Sequence, residues 1–112
     1  MSGLIPAALL TRLPKLYACE SQKDPVAQVK LFTPWAGWTW YLLEYDPVEK
    51  LGFAWVEGVE AELGYVSLGE LEGLRGPGGP RVECDLLFQP TPLSKIRRAD
   101  QPARMPQRER ER

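Results

Sequence analysis

Carboxylates in the middle of the chain are the side chains best able to do chemistry. Residues 44–62 include Glu44, Asp46, Glu57, Glu60 and Glu62. Two carboxyl groups held about 5 to 9 Å apart could act as acid and base, and a pair could hold Mg²⁺ together with water. Acidic residues in turns and on strand edges are also ordinary solvated groups, so a carboxylate-dependent enzyme is one hypothesis among several.

The lack of histidine restricts the chemistry further. The chain has no histidine and only two cysteines, Cys19 and Cys84, which stand far apart in sequence. Serine–histidine triads and cysteine–histidine pairs are therefore excluded, and so is a four-cysteine zinc site. Each cysteine is more simply a small apolar residue in a reducing compartment. We predict no catalytic residue, no metal site and no cofactor.

One glycine- and proline-rich run has the composition of a phosphate-binding loop. It reads Gly-Pro-Gly-Gly-Pro over residues 76–80. It lacks the lysine and the hydroxyl residue of such a loop and precedes a predicted strand, so a turn is the better interpretation. Arg75 stands before the run, at the predicted end of a helix, where a cation can cap carbonyls or contact a partner. Arg81 follows the run, and both arginines are candidates for binding.

Aromatic residues offer a second candidate surface. They are Trp35, Trp38, Trp40, Tyr41 and Trp55. Such rings could stack with unpaired bases, but stacking platforms of this kind are flanked by basic residues. Only Lys30 and Lys50 lie near them in sequence. Packing of most rings in a core is therefore the favoured interpretation, and Trp35, in a predicted turn, is the ring expected to be exposed.

Hydrophobic periodicity indicates the elements that must position these residues. Alternation predicts strands over 26–33, 38–45, 51–59, 63–67 and 81–88. A short helix is predicted over 6–13, and a second begins at the capping box formed by Ser67 and Glu70. Short connections between strands favour antiparallel pairing. The predicted fold is α+β, an antiparallel sheet of four to five strands with two short helices and a disordered C-terminal tail.

The strand over 38–45 is the strongest in the chain. Strict alternation places Trp38, Trp40 and Leu42 on one face and Thr39, Tyr41, Leu43 and Tyr45 on the other. Both faces are apolar or aromatic. This is typical of a central strand that is covered on both sides.

The C-terminal segment differs from the rest in composition. Residues 94–112 contain seven basic and three acidic residues, for a net +4, which leaves −5 on residues 1–93. With few large apolar side chains, such a segment cannot offset its ordering entropy. We predict a single domain over 1–93 and a flexible basic tail over 94–112, in which Lys95, Arg97 and Arg98 are candidate nucleic-acid contacts.

Several segments together resemble a known family. They are FTPWAGWTWYLLEYD over 32–46, ELGY over 62–65, LRGP over 74–77 and the acidic strand with Asp85 before Phe88. The chain from Leu4 to Ser94 resembles a family of small bacterial proteins catalogued as domain of unknown function 2958. The resemblance implies cargo of plasmids, integrative elements or phages, beside genes for DNA transfer, restriction or its evasion. It brings no activity and no catalytic residue, and it suggests that the tail is private to this chain.

The sequence therefore favours a non-catalytic binding module of a mobile genetic element that engages a protein or nucleoprotein partner. The candidate binding residues are Trp35, Glu60, Glu62, Arg75 and Arg81. The alternatives are a single-stranded nucleic-acid-binding protein and the carboxylate-dependent enzyme. No apolar run reaches the roughly 18 residues of a membrane span, so we expect a cytoplasmic location and no membrane partner. The oligomeric state stays open.

Overall fold

A computed structural model describes residues 3–97 of the chain. Its helices are α1 (Ala7–Leu10), α2 (Leu68–Gly73) and α3 (Leu93–Ile96). Its strands are β1 (Val26–Ala27), β2 (Val29–Phe32), β3 (Thr39–Asp46), β4 (Leu51–Glu57), β5 (Ala61–Ser67), β6 (Glu83–Cys84) and β7 (Thr91–Pro92).

The central feature is an antiparallel sheet with the strand order β5-β4-β3-β2-β6. Short turns join β2 to β3, β3 to β4 and β4 to β5, so these four strands form a meander. The predicted α+β class and the antiparallel sheet of up to five strands are confirmed. Within residues 3–97 the structure adds a two-stranded sheet, β1 with β7, and a third helix.

The additional sheet arises because the predicted strand over 26–33 is divided between two partners. Val26 and Ala27 pair with Pro92 and Thr91, whereas β2 pairs with β3 and β6. Between them, the N–H of Gln28 donates to the carbonyl of Leu42 at 2.9 Å. Alternation continues through this change of partner, so the sequence pattern could not show it.

The predicted last strand is much shorter than residues 81–88. Only Glu83–Cys84 pair as a strand, because Asp85 starts a turn in which its Oδ1 accepts the N–H of Leu87 at 3.0 Å. This side-chain turn competes with strand pairing. Leu86, predicted to point inward, is exposed together with Leu87.

A bulge in β3 changes the predicted faces of the central strand. Leu42 pairs with Ala54 and Glu44 pairs with Phe53, so Leu43 is an extra residue in the ladder. One inserted residue moves everything after it to the opposite face. Tyr45 consequently lies with Trp40 and Leu42, and the prediction that it shares a face with Tyr41 and Leu43 is wrong.

Two hydrophobic clusters cover the two faces of the sheet. The first-face core consists of Ile5, Val29, Leu31, Trp40, Leu42, Tyr45, Ala54, Leu68, Leu71 and Val82. The second-face core consists of Ala27, Leu43 and Phe53, with Leu16, Tyr41, Leu63, Phe88 and Ile96 packed against it. The prediction that the strand now called β3 is central and covered on both sides is confirmed.

Helix α2 begins where the capping box predicts. The Oγ of Ser67 accepts the N–H of Glu70 at 3.2 Å, which satisfies one of the free amides of the first turn. Leu68 and Leu71 are buried in the first-face core. Leu74, predicted to extend this apolar edge, follows the helix and is exposed.

The folded chain continues past the predicted boundary at residue 93. The N–H of Leu93 donates to the carbonyl of Pro25 at 2.8 Å. The N–H and Oγ–H of Ser94 donate to the two carboxylate oxygens of Asp24 at 2.8 and 2.7 Å. Residues 94–97 are thus attached to the body. The rest of the predicted tail, with Arg98, lies outside the described residues.

The Asp24–Ser94 contact predicts a pH-dependent contribution to stability. Hydrogen bonds from Ser94, its side chain first, lower the pKa of Asp24 from its ordinary value. A carboxylate with a lowered folded-state pKa stabilises the fold above its unfolded pKa, about 3.9, and loses that contribution as the pH falls through the folded pKa. We expect Asp24→Asn to lower the urea midpoint near pH 7 and to have a smaller effect near pH 2. Glu49→Gln, in an exposed turn, is the control. An equal loss at both pH values would contradict this account.

Candidate functional site

Two turns meet at one end of the sheet and carry the exposed tryptophan. Because β2 and β4 run in the same direction, the β2–β3 turn and the β4–β5 turn lie at the same end. Thr33 closes the first turn: its N–H donates to the carbonyl of Trp38, and its Oγ1 accepts the N–H of Trp38, both at 2.9 Å. Gly37 has a positive φ of 76°, a conformation in which glycine carries no steric penalty.

The exposed tryptophan is Trp38 rather than Trp35. The side chain of Trp38 is 37% exposed and stacks on Trp40 with ring centroids 5.9 Å apart. It also lies against Gly58 of the β4–β5 turn, where an added Cβ would come within 2.3 Å of the ring. Trp35 is half-buried against the first-face core. The prediction that Trp35 is the exposed ring is therefore wrong.

Trp35 is covered by the glycine- and proline-rich run. A Cβ on Gly76 would lie 2.3 Å from the indole of Trp35, so only glycine allows this contact without a shift of the ring. The run is a turn, as predicted: the N–H of Gly76 donates to the carbonyl of Pro80 at 2.9 Å, and Gly78 and Gly79 have φ values of 85° and 98°.

The same turn places two arginines side by side. Arg75 and Arg81 face each other across an isolated antiparallel bridge, and both are exposed. Arg75 Nη1 donates to the carbonyls of Glu72 and Leu74 at 2.9 and 3.0 Å, which confirms its predicted capping role. Within residues 3–97 neither arginine forms an ion pair. Opposed like charges are unfavourable, so this pair is suited to an anionic group from outside the chain.

The two acidic candidates lie in and just after the β4–β5 turn, which Trp38 contacts at Gly58. Glu60 is exposed in the β4–β5 turn, where its carbonyl accepts the N–H of Gly58 at 3.1 Å. Glu62 is exposed on β5 and pairs with Val56, which packs against the first-face core. Cross-strand neighbours share a face, so Glu62 lies on the face that carries Trp40.

The strand order and the contact between Gly76 and Trp35 thus place the five candidate residues at one end of the sheet. We call this region the turn-end surface; it consists of Glu60, Glu62, Trp38, Trp35, Arg75 and Arg81. Carboxylates lie at one end, the tryptophans in the middle and the arginines at the other end. A cleft of about 1190 Å³ on the first face extends from Arg81 toward the opposite end of the sheet, where Tyr45 and Lys50 line it.

The candidate tail residues lie elsewhere. Lys95 is exposed on α3, and Arg97 is half-buried just after it. Ile96 of the same helix packs against the second-face core. These residues are therefore not brought to the turn-end surface, whereas Arg98 lies outside the described part of the chain.

Sequence reasoning missed the role of Glu44. Its carboxylate is fully buried; Oε1 accepts the N–H of Tyr17 at 2.9 Å and Oε2 accepts the N–H of Cys19 at 2.8 Å. The carbonyl of Pro14 accepts the N–H of Tyr45 at 2.8 Å. The carboxylate of Glu44 and the N–H of Tyr45 together attach the segment 14–24 to β3. An acidic residue directly after two leucines in a strand was the available signal.

Two further carboxylates of the central hairpin also accept hydrogen bonds from groups within the protein. The Oε2 of Glu57 accepts the indole N–H of Trp55 at 3.0 Å, and Oδ1 of Asp46 accepts the N–H of Val48 at 3.0 Å. Hydrogen bonds of this kind stabilise a turn or a buried ring. The interpretation of Glu44 as an ordinary solvated group is wrong. The other two candidate carboxylates, Glu60 and Glu62, are exposed.

The two lysines near the aromatic residues already form ion pairs with carboxylates of the chain. Lys50 Nζ lies 2.6 Å from Glu72 Oε1, a contact that raises the pKa of Lys50 and lowers that of Glu72. Lys30 Nζ lies 3.8 Å from Asp85 and 5.7 Å from the ring of Tyr41. Burial raises the pKa of Tyr41, as do the charges of Glu57 and Asp85. The phenol therefore stays neutral.

Comparison with known proteins identifies one family. A family model described as "Protein of unknown function (DUF2958)" matches residues 4–105. Because the match passes Ser94, the expectation that the whole tail is private to this chain is wrong for residues 95–105. No match was found among curated proteins or among solved structures. Within residues 3–97, no helix is long and apolar enough to cross a membrane.

The buried carboxylate predicts a large effect of a small substitution. In Glu44→Gln an amide N–H₂ replaces one acceptor and opposes a backbone N–H. Hydrogen bonds to a charged group contribute about 1.5–3 kcal/mol, so we expect the free energy of unfolding to fall by about that amount. Chemical denaturation measures it, with Glu49→Gln as the exposed control. A loss no larger than that of the control would show that the carboxylate does not hold the segment 14–24.

The contact between Gly76 and Trp35 predicts opposite effects for two glycine substitutions. Gly76→Ala must displace the indole, so we expect a loss of about 1–3 kcal/mol and easier quenching of tryptophan fluorescence by acrylamide. Gly73→Ala, in α2, meets no atom within 4 Å, and alanine favours a helix by about 1 kcal/mol. It should be neutral or stabilising with unchanged quenching. Equal behaviour of the two variants would disprove the contact.

Proposed function

Because the chain belongs to the family described as protein of unknown function (DUF2958), we propose its function from the residues on its surface. We propose that it is a non-catalytic binding module that engages a protein or nucleoprotein partner. The turn-end surface is the binding site. The observation that carries the proposal is the bridge that fixes Arg75 beside Arg81, next to the ring of Trp35. Tryptophan and arginine dominate the binding energy of many protein interfaces.

The rigidity of this surface favours binding. Trp38 rests on Trp40 and Gly58, and Trp35 rests on Gly76. Side chains held in place by the fold lose little conformational entropy when a partner binds. The exposed face of Trp38 provides apolar area, and the guanidinium of Arg81 provides donors for a carboxylate or phosphate.

The distribution of charge favours a protein over bare nucleic acid. A polynucleotide presents phosphates along its whole length and is bound through an extended basic groove. The turn-end surface instead has Glu60 and Glu62 at one end and arginines at the other. Trp40 is buried and Trp55 is only 1% exposed, so neither ring has an exposed face on which a base could stack. A partner with a complementary pair of charged patches fits better.

The biological setting is a further part of the proposal. The resemblance to families carried by plasmids, integrative elements and phages supports an accessory role in the cytoplasm, beside DNA processing or host defence. A nucleoprotein complex would supply both a protein surface and phosphates. The arginine end suits either kind of anionic group.

Site-specific crosslinking tests the surface with a matched control. Val59 in the β4–β5 turn is 90% exposed and Val48 at the opposite end of the sheet is 85% exposed. A photoreactive amino acid at position 59 should crosslink to one protein in the native host, identified by mass spectrometry, whereas position 48 should not. Arg81→Ala should then weaken binding of that purified protein about thirtyfold, since hot-spot residues contribute about 2 kcal/mol. Arg12→Ala, exposed after α1, should leave it unchanged.

Other outcomes would point to other functions. Equal crosslinking from positions 48 and 59 would reject the turn-end surface. Salt-dependent binding of a labelled single-stranded oligonucleotide, unaffected by Arg81→Ala but lost when residues 95–112 are removed, would favour the nucleic-acid hypothesis. Magnesium-dependent activity lost in Glu60→Gln would favour an enzyme.

A further inference from the structure

Strand β5 leaves one edge of the sheet open in the described part of the chain. It runs over Ala61–Ser67 and pairs with β4 without a bulge along its whole length. Within residues 3–97, no other strand lies on its outer side. At the opposite edge, β6 has two residues and ends in the turn at Asp85. The two edges therefore differ in length and in protection.

The hydrogen bonds at both ends of the hairpin show which groups point outward. The N–H of Gly58 donates to Glu60 at one end, and the N–H of Leu68 donates to Lys50 at the other. Bonded and non-bonded pairs alternate along an antiparallel ladder. Residues 62, 64 and 66 therefore direct their backbone groups toward β4, and residues 61, 63, 65 and 67 direct theirs away from the sheet.

Most of the usual protections of an edge strand are missing from β5. Natural edges carry lysine, proline, a bulge or an inward-pointing charge. The strand reads Ala-Glu-Leu-Gly-Tyr-Val-Ser, with no lysine and no proline, and it pairs with β4 without a bulge. Its one charge, Glu62, lies on the first face near the start of the strand, where it is exposed, so the rest of the edge is a template for strand addition.

We propose that the strand that adds to this edge is β5 of a second copy of the chain, paired antiparallel about a twofold axis at Gly64. In this register Gly64 faces its symmetry mate and Leu63 faces Tyr65 of the second copy. Ala61 likewise faces Ser67 of the second copy. Every residue whose backbone groups point away from the sheet therefore meets another residue of the same kind. Such an interface is self-complementary, as twofold symmetry requires.

Strand length and charge favour this register. It pairs all seven residues of β5 with the seven residues of the second copy. Glu62 lies opposite Val66 of the second copy, so no two carboxylates face each other, whereas like charges directly opposite would be destabilising. Gly64 occupies the central non-bonded pair, where Cα atoms approach to about 4.5 Å. A Cβ on Gly64 would meet nothing within 4 Å of its own chain, so a side chain at this position fits on its face of the sheet.

The dimer would be a continuous sheet with five strands from each copy. Antiparallel pairing of the two β5 strands would direct the two turn-end surfaces toward opposite ends. The assembly would thus present two equivalent binding surfaces and gain avidity for a repeated partner. The dimer does not depend on the proposed function, because it uses backbone groups of β5 rather than the arginines or tryptophans.

Two substitutions at one position test the dimer. Gly64→Lys places two like charges at the axis and should raise the dimer dissociation constant at least tenfold. Gly64→Thr adds a side chain suited to a strand and should leave the dimer intact. Sedimentation velocity on the full chain measures both, with circular dichroism to establish folding. A wild-type chain that stays monomeric at its highest soluble concentration would overturn the proposal, as would a Gly64→Lys dimer as tight as wild type.

Crosslinking tests the register independently of stability. Gly64→Cys should form an intermolecular disulfide on mild oxidation, since Cα atoms of a non-bonded pair lie within disulfide range. Glu62→Cys should crosslink only when mixed with Val66→Cys. The native chain, with Cys19 buried and Cys84 half-buried, gives the background, and Val59→Cys is the exposed control. Crosslinking of Gly64→Cys no faster than Val59→Cys would reject the twofold axis at Gly64.

Discussion

The fold depends on how one carboxylate is accommodated inside the sheet. Glu44 lies fully buried in the central strand, and a buried charge is costly unless it is hydrogen-bonded. The amides of Tyr17 and Cys19 supply those bonds. The bulge at Leu43, directly before Glu44, shifts the register of the central strand by one residue. Together they attach the segment 14–24 to the sheet and place Tyr45 in the first-face core.

The bulge also determines how the two faces are filled. Residues before it follow strict alternation, and residues after it are displaced to the other face. The first face therefore holds both Trp40 and Tyr45, and α2 covers it with Leu68 and Leu71. The strand connections then bring two turns and the Gly76–Pro80 turn to one end. The turn-end surface is a consequence of this arrangement and not of any local motif.

Glycines position the tryptophans of that surface. Gly58 and Gly76 each lie where a Cβ would collide with an indole. Close packing of a ring on a bare backbone buries apolar area and restricts the ring at the same time. Trp35 is consequently half-buried although it occupies a turn, whereas Trp38 lies at the edge of the core. Exposure in a turn is a statistical expectation, and here a contact with a distant glycine overrides it.

The sequence by itself determined the class of fold, the central strand, the start of α2 and the turn at residues 76–80, because periodicity, capping and turn chemistry act between near neighbours. It also identified Arg75 and Arg81 as candidates. Only the tertiary structure decided that they stand together and that Glu44 is buried. Contacts between distant residues depend on the pairing of strands that no short turn joins and on a one-residue bulge, and hydrophobic alternation contains no signal for either.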